Sequence, residues 1–179
     1  MRNPVLVAAC LLTLAPLVAG PQDARPDPWS PVRVLLGRWE GKATGQAGDG
    51  TVTREYQFVL GGRYIHERNV STYPPQEKNR KGEVHEHWSF LSDDRGRRTI
   101  VLRQFHLEGF VNQYALSAKK STPNLLIFES VTFENFSNKW RGRETYEVLS
   151  PDEIIETFEL APPEKPFEVY SRNHLMRVK

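Results

Sequence analysis

The chain has 179 residues, with 24 Lys and Arg against 22 Asp and Glu and 39% hydrophobic residues. Acidic and basic residues are interleaved (Glu83, Glu86, Asp93, Asp94, Arg95, Arg97, Arg98), which excludes a basic strip able to neutralise phosphates, so nucleic acid is not an expected partner. A single cysteine, Cys10, excludes an intrachain disulfide, a multi-thiolate metal site and covalent haem attachment through C-x-x-C-H.

In chain order, Met1-Arg2, an apolar stretch from Val5 to Val18 and the small residues Ala19-Gly20 form the pattern of a secretory signal peptide, expected over residues 1–20. The chain is therefore expected outside the cytoplasm, periplasmic or secreted, without a transmembrane segment after cleavage. Residues 21–31, rich in Pro and Asp and lacking any period, are expected to form a flexible linker. The rest, residues 32–179, is the size of one domain with one core.

A short helical turn is expected over Ser30 to Leu36, with Ser30 as cap and Pro31 in the first position. Ten runs of β-branched and aromatic residues follow: Arg38–Thr44, Val52–Leu60, Arg63–Thr72, Glu83–Leu91, Arg98–Leu107, Phe110–Ala118, Leu125–Phe133, Lys139–Leu149, Glu153–Leu160 and Phe167–Val178. Gly61-Gly62, Asp93-Asp94-Arg95-Gly96, Pro123-Asn124, Ser150-Pro151-Asp152 and Pro162-Pro163 separate several of them with turn chemistry. Ten short strands without crossover helices predict an all-β, antiparallel, up-and-down sheet, closed into a barrel because closure removes the exposed edges. The long connection Tyr73–Lys81 is polar and is expected to be a solvated loop.

Alternate residues of each strand face the lumen. Both faces carry polar groups. The fourth strand sets Val84, Glu86, Trp88 and Phe90 against His85, His87, Ser89 and Leu91, and the fifth sets Ile100, Leu102, Gln104 and His106 against Thr99, Val101, Arg103 and Phe105. Such interleaving predicts a lumen with room for a small ligand. His85-Glu86-His87 places two imidazoles on one side of a strand, a spacing that metal-binding cupins complete with a third ligand. The rest of that pattern is missing, and solvent-facing positions account for the pair. Tyr170, Arg172 and His174 share one side of the last strand by period two. Facing inward, Arg172 and Tyr170 would clamp a ligand carboxylate; alternatively Arg172 pairs with Glu156 or Glu144. No G-x-S-x-G elbow or other nucleophile arrangement is present.

Gly37-Arg38-Trp39, preceded by Leu35-Leu36, resembles the G-x-W opening of the calycins, the superfamily of lipocalins and fatty-acid-binding proteins. The resemblance implies that a basic residue of the last strand, Arg177 or Arg172, covers Trp39 at the barrel base. The longer run Leu36-Gly37-x-Trp39-x-Gly41-x-Ala43-x-Gly45 is similar to the opening of the nitrobindins, with Ala43 where they carry another glycine. Phe105-His106-Leu107-Glu108-Gly109-Phe110 and His174-Leu175 resemble two further nitrobindin stretches. What this implies is a ten-stranded calycin barrel holding non-covalent haem b, with His174 as axial iron ligand and His106, Phe105 and Trp88 shaping the opposite face. Nitric oxide binding or peroxynitrite isomerisation at ferric haem would follow. A barrel carrying a lipid or other apolar carboxylate is the second expectation. The third is a ligand-free structural or partner-binding barrel, its lumen packed shut by residues such as Trp88 and Phe90.

Overall fold

The structure is a computed structural model, and it describes residues 27–137 and 139–179. The expected signal peptide, and residues 21–26 of the expected linker, lie outside the described residues. A 3-10 turn, Arg33–Leu35, leads into ten strands: β1 Gly37–Gly45, β2 Gly50–Val59, β3 Tyr64–Tyr73, β4 Glu83–Asp94, β5 Thr99–His106, β6 Val111–Leu116, β7 Leu125–Glu134, β8 Arg141–Ser150, β9 Glu153–Ala161 and β10 Glu168–Arg177. Each pairs antiparallel with its neighbour in sequence, and β1 pairs with β10, so the sheet is a closed barrel. Among the described residues, no helix is long and apolar enough to cross a membrane.

The predicted helical turn is shorter than expected and has no side-chain cap. The linker also ends earlier than expected. Trp29 is buried, its ring meets Phe58 edge-on at 5.7 Å, and its backbone amide donates to Asp27. An aromatic side chain that removes this much surface from water belongs to the packed domain and not to a tether.

Because every connection is a hairpin, the two barrel ends are simply defined. The β2–β3, β4–β5, β6–β7 and β8–β9 turns gather at one end, the base, and the 45–50, 73–83, 106–111, 134–141 and 161–168 connections gather at the other, the mouth. At the base, Leu35, Trp39, Ile65, Leu91, Ile154 and Leu175 are essentially solvent-free and plug the barrel. Arg177, and not Arg172, lies over the Trp39 ring at 4.2 Å. Its guanidinium also donates to the Leu36 and Val34 carbonyls, while the Trp39 indole donates to the Leu35 carbonyl at 2.8 Å. The segment before β1 is thereby bound to the last strand. Gly41 lies where β1 and β10 approach most closely: a Cβ there would sit 1.8 Å from the His174 carbonyl oxygen. At the mouth, Gln76 in the long β3–β4 connection donates to the Asp49 carbonyl and accepts from its amide, tying two loops together.

Candidate functional site

Above the apolar plug, alternating positions of eight strands send polar side chains inward. Arg54 on β2 is the centre of this layer. It makes a two-pronged contact with Glu156 on β9 (2.9 and 2.7 Å), donates to Asn69 at 2.9 Å, and lies 3.3 Å from Glu67. Asn173 on β10 donates to the same Glu156 at 2.5 Å. All five residues are buried. Burial alone would raise the Glu67 carboxyl, but the nearby His87 and Arg54 and hydrogen bonds outweigh it and hold its pKa at about 2. Glu144 on β8 goes the other way: burial, reinforced by the negative charge of Glu156, pushes it well above the usual range. Among the described residues, its Oε2 has no partner. The layer thus sets three carboxyl groups, Glu67, Glu144 and Glu156, around one guanidinium, Arg54.

Between this layer and the mouth lies a cavity of about 630 Å³, within the range of small-molecule sites. Its floor includes Asn69, Gln104, Glu144 and Asn173, and its upper wall is aromatic, with Phe110, Phe133, Phe136, Trp140, Phe158 and Tyr170. The wall rings stack in series. Phe136 meets Phe133 and Trp140 edge-on at 5.9 and 5.6 Å, and Phe158 meets Tyr170 at 5.7 Å.

Three imidazoles stand on the side of this cavity formed by β4 and β5. His85 and His87 on β4 face inward, and the β4–β5 register pairs His87 with His106. The pair read from sequence as solvent-facing is therefore lumenal, and His87 is buried. His85 Nε2 lies 3.4 Å from His87 Nδ1 and 3.4 Å from His106 Nδ1, and one nitrogen from each of the three rings lies within 4.8 Å of the others. Each ring's other nitrogen has an oxygen-bearing side chain beside it. For His85 Nδ1 this is Glu108 at 2.8 Å, for His87 Nε2 it is Glu67 at 3.3 Å, and for His106 Nε2 it is Asn112, whose amide nitrogen is the atom at 3.1 Å. Phe110 stacks on His106 with centroids 4.2 Å apart. Burial, aided by His87 and His85, drives the His106 pKa down to about 2, so its ring is neutral at any physiological pH.

The residues expected to hold haem are divided differently. His106 lines the cavity. His174 does not: Asn173 and Leu175 point inward, so His174 points out, half-exposed, and its Nε2 lies 2.7 Å from Glu153 on the outer surface. Arg172 is likewise outside, 3.9 Å from Glu147, and pairs with neither Glu156 nor Glu144. Tyr170 does reach the cavity, because the β10 register shifts between Val169 and Ser171, and this bulge separates Tyr170 from the face of Arg172 and His174. Trp88 and Phe105 pair across β4 and β5 on the outside, each close to half-exposed, and Trp88 donates to Glu86. They neither line the cavity nor pack the lumen shut. His174→Ala is expected to leave lumenal binding of any ligand unchanged and to alter stability by less than about 0.5 kcal/mol, as ligand titration and urea unfolding would measure.

Sequence reasoning missed Arg54, Glu67 and the convergence of the three histidines. The third is a matter of counting. A four-residue turn, Arg95-Gly96-Arg97-Arg98, sets residue 87 opposite residue 106, so the hairpin itself joins His85-x-His87 to His106.

No family model matches the chain, and no curated protein matches it. Among solved structures, the chain is similar to Rv2717c from M. tuberculosis, with 15% sequence identity, a TM-score of 0.61, and coverage of 88% of this chain and 100% of the other. At that identity the likeness reaches the fold alone: the chain is a ten-stranded, closed, antiparallel β-barrel.

Proposed function

We propose that this chain is an exported barrel that binds one small neutral or cationic molecule in its lumen, the polar end on the Asn69–Gln104–Asn173 floor and an apolar or aromatic end between the rings of the mouth. The observation that carries this reading is the cavity of about 630 Å³ with a polar floor and an aromatic wall. Export is supported by the sequence pattern of residues 1–20. The charge of the floor selects among ligands. Its one guanidinium, Arg54, is saturated by Glu156, Asn69 and Glu67, so an incoming carboxylate would meet carboxylates without a free cation. This argues against the fatty-acid reading.

The nitrobindin resemblance implies haem, and the residues that carry that implication do not fit it. An axial ligand on the outer wall cannot reach a lumenal iron, and two of the three residues assigned to the opposite face are outside as well.

Titration with N-phenyl-1-naphthylamine, a neutral fluorophore, tests the reading. Blue-shifted emission saturating at one probe per chain is expected, with Phe136→Ala or Phe158→Ala weakening it about tenfold, the worth of one aromatic contact. Palmitate is expected not to displace the probe. Absence of saturable binding would overturn the proposal. So would binding that Trp88→Ala weakens as much as the lumenal variants do, since Trp88 is on the outside.

A further inference from the structure

We propose that His85, His87 and His106 form a three-histidine centre for a divalent transition metal of the zinc class, whose fourth coordination position opens into the cavity.

The first argument is distance. A tetrahedral zinc with Zn–N bonds of about 2.0–2.1 Å holds its ligand nitrogens about 3.3 Å apart. His85 Nε2 stands 3.4 Å from each of the other two nitrogens. The second argument is proton counting. A neutral imidazole has one N–H and one lone pair. If His85 Nδ1 gives its proton to Glu108 and His87 Nε2 gives its proton to Glu67, then His85 Nε2 and His87 Nδ1 confront each other as two lone pairs. That arrangement is repulsive unless a cation sits between them. The third ring depends on the Asn112 amide: its nitrogen lies 3.1 Å from His106 Nε2 and 3.0 Å from the Tyr114 hydroxyl, and turning the amide over, which exchanges two atoms of nearly equal size, lets the oxygen accept from both and leaves His106 Nδ1 with its lone pair aimed at the same point.

The third argument is the outer layer. Histidine ligands of metals commonly donate their distal N–H to a carboxylate or an amide oxygen, which fixes the tautomer and the ring orientation. Here two rings have a carboxylate and the third an amide. Glu67 is itself held by Arg54 on β2, so the orientation of His87 is anchored across three strands. Charge agrees: the layer beneath gathers the carboxyl groups of Glu67, Glu144 and Glu156 around a single guanidinium, Arg54, so a divalent cation beside it is offset by neighbouring carboxyl groups. Imidazole nitrogens without thiolate or further carboxylate ligands suit zinc, copper, nickel and cobalt, and do not suit calcium or magnesium. Phe110, stacked on His106, lines the same cavity as the three histidines and covers the His106 ring. A lone pair on a lumenal molecule, or a water, would occupy the fourth position.

The competing arrangement has no metal: His87 is doubly protonated and donates to both Glu67 and His85. The two differ in what they bind. The test uses the purified barrel stripped with a chelator, then titrated with Co²⁺ while the visible absorption of tetrahedral cobalt is followed, and with Zn²⁺ against a chromophoric chelator. One ion per chain is expected, bound at least 100-fold more tightly than by His85→Ala or His106→Ala. His85 is at the cavity rim, half out of the core, so its variant is expected to fold, as circular dichroism would verify. Glu108→Gln changes no ligand and is expected to weaken zinc about tenfold through the orientation of His85. No binding at pH 7.5, or binding that survives His85→Ala and His106→Ala, would overturn the proposal. The fluorophore titration, repeated on stripped protein, keeps the two readings apart: probe bound without metal retains the ligand site and rejects only dependence on the ion, and metal bound without probe does the reverse.

Discussion

Arg54→Met is expected to cost the barrel about 3–5 kcal/mol, although it replaces a buried charge by an apolar side chain of similar length. Among the described residues, the guanidinium is the only cation bonded to Glu156, which it holds through both oxygens, and it also lies 3.3 Å from Glu67, whose other partner is His87. Without it, Glu156 is left buried with only the Asn173 amide against it and Glu67 with only the His87 imidazole and hydrogen bonds. Each carboxylate then takes up a proton or stays charged with too little compensation for its burial. Urea unfolding would show a lower midpoint, and the loss should grow with pH, because Arg54, together with His87, holds the Glu67 carboxyl low against the opposing effect of burial. The triple variant Arg54→Met/Glu67→Gln/Glu156→Gln removes the stranded charges and is expected to recover more than half of the loss. A single variant within about 1 kcal/mol of the original protein would show that the polar layer is reached by water and does not behave as buried.

Gly41→Val has an equally large expected effect for a steric reason. The hydrogen that points from Gly41 toward β10 occupies space in which a Cβ would be 1.8 Å from the His174 carbonyl oxygen and under 3 Å from the Leu175 Cα. These are backbone atoms, which no rotamer change can move. The β1–β10 seam would have to separate, and the closed sheet would acquire two edges. A loss of about 4 kcal/mol or more is expected, read as the disappearance of cooperative thermal unfolding. Lys42→Val, one residue on and pointing outward, is the control and should shift stability by less than about 0.5 kcal/mol.

These two positions differ in how far the sequence announced them. Gly41 belongs to the glycine pattern around Trp39, and the ten strands, all of which form within a few residues of their expected bounds, were legible from turn residues and period-two runs. Arg54 was not legible, because a charged residue in an alternating strand reads as solvent-facing, and only its partners on β3 and β9 reveal the opposite. The last strand shows a second limit. Tyr170, Arg172 and His174 share a side by period two, yet the bulge after Val169 breaks that period, and the burial of Leu175 fixes His174 outward. One extra residue inverts a face, and no local propensity in Val169-Tyr170-Ser171 signals it. The histidine centre lay between these cases. Its two members on β4 were visible as a pair, and the third required pairing the hairpin residue by residue.

The hold of Arg177 on the Leu36 carbonyl, 141 residues earlier in the chain, also bears on how the molecule is made. Closing the ring requires its first and last strands to meet, and contacts of such long range slow folding to the millisecond-to-second regime. During synthesis, β1 through β9 would emerge while their terminal edges still lack a partner, and an open, twisted sheet with two bare edges is what aggregation recruits. Closure of the barrel therefore waits for β10, and a chaperone that caps β1 or β9 until then would act while those two edges are bare.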